Sequence, residues 1–161
     1  MKIVTIRSGG QTGVDRAALD VAREFGMAIA GWCPRGGVAE DHDEAPGLLV
    51  KYPELRETNY SGYSQRTVLN VWDADATLIF YPVDGELSPG TELTVTAAKK
   101  LKKPYFIMRH EKEMTKLVDW LNEKFADREI ELNIAGPRAS SIPDIYDRTR
   151  KLLGDLFGRL R

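Results

Sequence analysis

Five short apolar runs alternate along the chain with segments of helical periodicity. The stretch after the first run carries one apolar helical face, at Val14, Ala17, Ala18, Val21, Ala22 and Phe25. Similar patterns predict helices over about 64–74, 91–101 and 112–125, and a last helix begins near Ser141, which has capping-box spacing to Asp144. The apolar runs, which we predict to be strands, are Ile3–Ile6, Ala28–Trp32, Thr77–Tyr81, Tyr105–Met108 and Leu132–Ala135.

This alternation predicts an α/β fold with a mainly parallel five-stranded sheet. Parallel strands need crossover connections, and helical crossovers cover both faces of such a sheet. The strand runs are continuously apolar, as a sheet covered on both faces requires. We expect one domain over residues 1–161, with a long inserted loop at about 33–62 that is rich in glycine and proline.

Composition excludes several classes of partner. The 23 basic and 24 acidic residues nearly cancel, which argues against nucleic acid or an anionic membrane as the main partner. Cys33 is the single cysteine, so no internal disulfide or cysteine-rich zinc site is expected. No apolar run approaches the roughly 20 residues that span a bilayer, and no signal-like segment is evident. We therefore expect a soluble, cytoplasmic protein.

The glycine-rich segment 8–13 between the first strand and the first helix indicates an anion site. Helix N-termini carry free N–H groups and partial positive charge, and glycines let an oxyanion approach the backbone. The segment is not a Walker A loop, because no Gly-Lys-Ser/Thr follows it. It resembles a dinucleotide fingerprint with Ser8 in place of the first glycine, but the acidic residue expected about 20 positions later is missing. A tight turn without a ligand is the remaining alternative.

Four of the five loops at the predicted carboxyl edge of the sheet carry glycine, hydroxyl or arginine side chains. Ligands of open parallel sheets bind at this edge. Hydroxyl groups donate hydrogen bonds to an oxyanion, and Arg35 and Arg138 have the bidentate geometry that suits phosphate. We therefore predict a site for a phosphate-bearing small molecule, with the candidate residues Ser8, Gly9, Gly10, Gln11, Thr12, Gly13, Arg35, Ser88, Gly90, Thr91, Glu92 and Arg138.

Carboxylates near this edge leave a catalytic role open. Glu40 and Asp41 could contact a sugar hydroxyl, hold a hydrated divalent cation or solvate a loop. His42 and His110 lack metal-ligand spacing, so no metal site is predicted. If the chain is an enzyme, its acid or base is predicted among Glu92, Glu40 and Asp41.

The motifs as a set resemble the family named putative molybdenum carrier, within the SLOG group of Rossmann-like proteins that includes lysine-decarboxylase-like phosphoribohydrolases. The resemblance covers nearly the whole chain. It implies a Rossmann-like three-layer sandwich, a site built from the first loop and the Pro-Gly-Thr loop, and a homo-oligomer, either a dimer or a tetramer. The segments that carry it are Ser8–Asp20, Gly31–Pro34, Ala39–Asp41, Arg66-Thr67, Asn70-Val71, Pro89–Thr94 and Gly136–Arg138.

Two functional hypotheses follow from these residues and from the resemblance. The first hypothesis is a carrier that binds molybdenum cofactor (molybdopterin) or a nucleotide without turnover. The alternative is a nucleotide phosphoribohydrolase-like enzyme or a nucleotide-sensing protein. The hydrolase relatives carry a glutamate three positions after the threonine of the loop, where this chain has Thr94. Glu92 comes two positions early, which turns it about 200° round a helix. A single-stranded DNA adaptor is disfavoured, because no basic and aromatic stripe is evident.

Overall fold

The computed structural model describes residues 1–160, which form seven strands and six helices. The strands are β1 (Lys2–Arg7), β2 (Ala28–Ala30), β3 (Trp32–Cys33), β4 (Arg56–Glu57), β5 (Ala76–Phe80), β6 (Tyr105–Met108) and β7 (Glu129–Ala135). The helices are α1 (Val14–Glu24), α2 (Leu48–Lys51), α3 (Tyr63–Asp73), α4 (Pro89–Lys100), α5 (Met114–Lys124) and α6 (Ile145–Arg159).

Five strands form one sheet in the order β2-β1-β7-β5-β6, and all neighbours in it are parallel. Every residue of β5 is buried, as expected for a strand covered on both faces. The predicted α/β fold with a five-stranded parallel sheet is therefore confirmed. From β1 and from β5 the chain proceeds to opposite edges of the sheet, so the carboxyl ends of β1, β7 and β5 border a topological switch point.

The helices form two layers, one on each face of the sheet. Helix α1 packs against α6, which also contacts α5, and side chains of these helices form the main hydrophobic core with the sheet. Helix α3 packs against α4, and smaller clusters around Val71 and Val95 bury the other face. The result is the Rossmann-like three-layer sandwich that the resemblance implied. No helix within residues 1–160 is long and apolar enough to cross a membrane.

The predicted strand Ala28–Trp32 is broken in two, which corrects the sequence interpretation. Gly31 has φ 146°, and a Cβ at this position would be 2.0 Å from the carbonyl oxygen of Ser8. The chain therefore leaves the main sheet after β2, and β3 pairs with β4 in a separate two-stranded parallel sheet. The run Ala28–Trp32 has the length of one strand, so its pattern gave no indication of the turn at Gly31.

The last helix begins later than predicted. The backbone N–H groups of Ser141 and Ile142 both donate to the carbonyl oxygen of Arg138, at 3.1 and 3.2 Å, and so form a turn rather than a helix start. Helix α6 begins at Ile145, with Asp144 at the N-cap. The capping-box interpretation of Ser141 was wrong. The N–H groups of Ser141 and Ile142 are hydrogen-bonded within a local turn, whereas a helix start would leave such groups free.

The long segment between β3 and α3 is tied to the domain at several points. It contains a 3-10 turn at Arg35–Gly37, α2 and β4. Leu48 and Leu55 are buried in the main core, and the hydroxyl of Tyr52 donates to Asp20 of α1 at 2.6 Å. The segment thus contributes to the core beneath the first glycine-rich loop.

Candidate functional site

A cavity of about 640 Å³ lies at the carboxyl ends of β1, β7 and β5. The loop after β1, helix α3, the first turn of α4 and the loop after β7 line it. Its position agrees with the switch-point rule for open parallel sheets. The glycine-rich, Pro-Gly-Thr and Gly-Pro-Arg motifs therefore come together around one volume.

The first turn of α4 presents free backbone donors at this cavity. Pro89 occupies the first helical turn, where its missing N–H costs nothing, and Ser88 is the N-cap residue. The Ser88 side chain makes no capping bond and instead donates to the hydroxyl of Thr91 at 3.1 Å. The tyrosine at the end of β5 fixes the entry to the helix, because the Tyr81 hydroxyl accepts the Ser88 N–H at 2.9 Å. The uncapped N–H groups can bind an anion.

The loop after β7 contributes a cation. Gly136 must lack a side chain, since a Cβ there would be 2.3 Å from the carbonyl oxygen of Phe80. This close contact directs the chain so that Arg138 lines the cavity. The Arg138 guanidinium lies over the ring of Tyr63, 5.2 Å from its centroid. Stacking on the ring limits the positions of the charged group while leaving its N–H donors available.

The first glycine-rich loop uses several of its amides within the protein. The N–H of Gln11 donates to the Asp15 carboxylate at 3.3 Å, and that of Thr12 donates to the Gln11 side-chain oxygen at 3.0 Å. The N–H of Val14 donates to the carbonyl oxygen of Pro137 at 3.2 Å. Gly9 and Gln11 line the cavity. The loop therefore shapes the wall, and a protein carboxylate accepts one of the bonds that an anionic ligand was predicted to accept.

The other predicted residues of this loop are directed elsewhere. Gly10 (φ 73°) packs on the core, because a Cβ there would be 3.0 Å from Leu48 and 3.1 Å from Leu55. Gly13 (φ 81°) fits tightly against the loop after β7. The buried Ser8 hydroxyl donates to the backbone carbonyl of Asp15 at 3.1 Å. These residues and Thr12 are not among the residues that line the cavity.

A buried ion pair joins α1 to α3 at the cavity wall. The Arg66 guanidinium donates to Asp15 at 2.8 Å, and the two side chains are only 14% and 4% exposed. Burial raises the pKa of Asp15 above its usual value, although Arg66 acts in the opposite direction. Within residues 1–160 the buried atoms Gln11 Nε2 and Arg66 Nε have no hydrogen-bond partner. A buried donor without a partner costs about 1–3 kcal/mol, and both of these donors belong to residues that line the cavity.

The Gln11 amide has a defined orientation. Its side-chain oxygen accepts the N–H groups of Thr12 and Glu40, at 3.0 and 2.9 Å. Two backbone donors can bond only to the oxygen, so the nitrogen is fixed on the other side. The unpartnered group of Gln11 is therefore a donor.

Four charged residues predicted for the site lie outside the cavity. Arg35 lines a separate cleft with Glu57, Thr58 and Asn59. Glu40 bonds to the hydroxyls of Thr12 and Ser140, and Asp41 pairs with Arg16 at 2.8 Å. Glu92 is exposed on α4, while Thr91 and Thr94 face the cavity. The hydrogen bonds from Ser140 and Thr12 lower the pKa of Glu40 despite the effect of burial, and those from Arg16 lower the pKa of Asp41.

Several cavity residues were not predicted as site residues. Tyr63, Arg66, Thr67 and Asn70 come from one face of α3. Their spacing of three, four and seven positions is a polar helical stripe, and the Arg66-Thr67 and Asn70-Val71 motifs lay within the resemblance. Among residues 1–160, no group of three or more His, Cys, Asp or Glu side chains could hold a metal ion.

Comparisons with known proteins agree with this architecture. Residues 6–157 match the model of the circularly permutated YpsA SLOG family. A solved structure described as a putative molybdenum carrier protein from Syntrophus aciditrophicus SB is 40% identical and has a TM-score of 0.83. The match covers 96% of this chain and 94% of that one. A search of curated proteins found no match. The resemblance predicted from the motifs is confirmed, and the chain belongs to the circularly permutated YpsA SLOG family.

Proposed function

We propose that the chain binds a phosphate-bearing small molecule in the cavity and acts as a carrier of molybdenum cofactor, a pterin phosphate. One observation carries the proposal: the uncapped first turn of α4 and the guanidinium of Arg138 line the same cavity. Backbone N–H groups at a helix N-terminus and an arginine fork are the two donor types that suit a phosphate. The similar Syntrophus protein is described as a putative molybdenum carrier, which supports a cargo that contains molybdenum.

The size and donor set of the cavity fit such a ligand. About 640 Å³ lies within the usual range of small-molecule sites, roughly 300–1,000 Å³. The walls contribute hydroxyls at Ser88 and Thr91 in addition to the cation. Cys33 is buried and is not among the cavity-lining residues, and burial raises its thiol pKa to about 11. The protein would therefore hold the cofactor by its phosphate rather than through a thiolate on the metal.

The position of Glu92 favours a carrier over a hydrolase. A general base must come within hydrogen-bond reach of the reacting group or of a bridging water. Glu92 is exposed and does not line the cavity, and Glu40 and Asp41 are bonded to other protein groups. Among residues 1–160, Asp15 is the one carboxylate that lines the cavity, and it is paired with Arg66. None of the predicted acids is placed for acid–base work on a bound ligand.

Calorimetric titration tests the proposal. We expect binding of molybdopterin, and weaker binding of nucleoside monophosphates, with no heat from the corresponding nucleosides that lack phosphate. Mass spectrometry of the natively purified protein should reveal a phosphate-bearing molecule. Equal affinity for a nucleoside and its monophosphate would contradict the phosphate site. Turnover of a nucleoside monophosphate would replace the carrier by the hydrolase.

We also propose that the protein is a cytoplasmic homo-oligomer. Val68 and Trp72 are one helical turn apart on α3 and are 37% and 58% exposed. An exposed aromatic and aliphatic pair on one helix supports burial against another subunit. Light scattering after size exclusion should give a dimer or tetramer mass, and Trp72→Glu should shift the protein toward monomer. A monomer mass for the unchanged chain would contradict the proposal.

A further inference from the structure

Arg66 is a cation at the cavity that a carboxylate of the protein already engages. One carboxylate oxygen of Asp15 accepts both the Gln11 N–H, at 3.3 Å, and the Arg66 Nη1, at 2.8 Å. Asp15 thus occupies a position between a loop amide and a guanidinium, an arrangement that also suits one oxygen of a bound phosphate. Arg66 Nε and Gln11 Nε2 are buried without a partner among residues 1–160.

Arg66 contacts the same aromatic ring as Arg138, the cation of the proposed site. The guanidinium carbons of Arg66 and Arg138 are 5.7 and 5.2 Å from the centroid of the same ring, that of Tyr63. Both residues line the cavity. A ligand that fills the cavity therefore contacts both arginines.

We propose that Arg66 is a second ligand-binding cation of this cavity, held by Asp15 until an oxyanion of the ligand displaces that carboxylate. The inference rests on the proposed function and names the group that regulates the same site. The displacing oxyanion accepts from Arg66, including the Nε that has no partner in the free protein. Asp15 is then a built-in competitor, which weakens binding of every anion that needs Arg66.

Displacement couples binding to a proton. Asp15 is almost completely buried, and burial without a paired cation disfavours its charged form. When Arg66 turns to the ligand, Asp15 binds a proton from solvent, so the ligand-bound state holds one proton more than the free state. Affinity therefore rises as the pH falls, by up to about tenfold per pH unit between the pKa values of the two states.

The charged groups around Asp15 are few. Arg66 faces it from α3 and Arg16 from α1, and Arg138 lines the cavity from the loop after β7. Arg16 is already paired with Asp41, which lies 4.0 Å from His42. His42→Gln removes this imidazole from the group of charged side chains and so serves as the control for the pH dependence.

The test uses inorganic sulfate, whose charge is constant from mildly acidic to mildly alkaline pH, titrated at fixed ionic strength and followed by NMR. For the unchanged chain and for His42→Gln, we expect affinity to increase steadily on acidification. Asp15→Asn, which keeps the side-chain shape, should bind sulfate about tenfold more tightly at neutral pH and lose the pH dependence. Arg66→Met should bind more weakly and also lose it. Thermal unfolding confirms that each variant folds.

The unchanged chain alone can overturn the inference, whatever the variants do. If it binds sulfate with an affinity independent of pH, Asp15 is not displaced, and the proposed phosphate site still stands. Weaker binding by a folded Asp15→Asn variant would likewise show that Asp15 supports the ligand rather than competing with it. If the unchanged chain binds neither sulfate nor any nucleoside monophosphate, the proposed function and this inference fail together.

Discussion

The guanidinium of Arg66 lies directly over Gly9, so closely that a Cβ at residue 9 would be 1.8 Å from Nη1 and 2.6 Å from Cζ. In the free protein the Arg66 guanidinium is held in this position by its ion pair with the buried Asp15. Glycine at this position is therefore required by the ion pair that crosses from α1 to α3. The sequence indicated that the glycines of this loop make room for a ligand oxygen. At Gly9, the space is filled by the guanidinium of Arg66.

Gly9→Ala should destabilise the protein by about 1–3 kcal/mol, the usual cost of an added methyl group in a tight site. The methyl group forces Arg66 away from Asp15 and leaves that carboxylate with one donor fewer. Urea denaturation measures the change in the free energy of unfolding. In an Arg66→Ala background the same substitution should cost almost nothing, because the clashing atoms are gone.

Gly154→Ala is the matched control for that experiment. Gly154 lies within α6, and a Cβ there would meet nothing within 4 Å. Alanine should stabilise the protein by about 0.5–1 kcal/mol through the lower entropy of its unfolded state. If Gly9→Ala were as harmless as Gly154→Ala, the close contact between Gly9 and Arg66 would not exist in solution.

Arg138→Met should lower the affinity for a phosphate-bearing ligand by roughly ten- to a hundredfold, because one charge-assisted hydrogen bond contributes about 1.5–3 kcal/mol. Methionine keeps much of the contact with Tyr63 while removing the charge. Arg35→Met is the control, since Arg35 lines the separate cleft and should leave the affinity unchanged. Calorimetry with molybdopterin compares the two variants. A larger loss from Arg35→Met would place the phosphate in the other cleft.

The sequence predicted the architecture well, because the spacing of apolar residues depends directly on which faces of the helices and strands are buried. Continuous apolar runs such as Thr77–Tyr81 are typical of strands covered on both faces, and all five predicted strands overlap observed ones. The break at Gly31 could not be predicted, since it results from a contact with the carbonyl oxygen of Ser8, 23 positions earlier. Two-residue strands such as β3 and β4 also carry too few positions for any periodicity.

The candidate site was predicted less completely, because a motif reveals donors but not the protein groups that already use them. The sequence placed Ser88, Gly90, Thr91 and Arg138 in loops at the carboxyl ends of parallel strands, and all four line the cavity. The pairing of Asp15 with Arg66 joins residues of two helices that are 51 positions apart in sequence, so no local pattern could reveal it. Loop positions at the predicted carboxyl edge suggested Arg35 as the partner of Arg138, whereas in the structure Arg66 and Arg138 contact the same ring, that of Tyr63.

Asp20→Asn should weaken the dependence of stability on acid pH. Burial alone would raise the pKa of Asp20, but hydrogen bonds from Tyr52 and Tyr146 and the nearby Lys51 lower it below its usual value. A carboxylate with a lowered pKa stabilises the folded state above its unfolded pKa of about 3.9, and this contribution is lost as the pH falls through the folded value. The variant should be less stable at neutral pH and should differ less from the unchanged chain in acid.

Urea denaturation at a series of pH values measures this effect, with Asp84→Asn in an exposed loop as the control. Parallel curves for the unchanged chain and Asp20→Asn would contradict the role of the two tyrosine hydroxyls. Tyr146→Phe should reproduce part of the effect, because its hydroxyl donates to Asp20 at 2.7 Å.

Glu92→Gln and Thr91→Val, at adjacent positions of α4, separate the carrier from the hydrolase. Thr91 is buried and lines the cavity, where its hydroxyl accepts from Ser88 at 3.1 Å, while Glu92 is exposed and is not a cavity-lining residue. We expect Thr91→Val to weaken phosphate-ligand binding by several fold, since a hydrogen bond between neutral groups contributes about 1 kcal/mol. Glu92→Gln should leave affinity unchanged in the same titration. If the unchanged chain hydrolyses a nucleoside monophosphate and Glu92→Gln abolishes that turnover, the exposed position of Glu92 changes on ligand binding, and the protein is an enzyme.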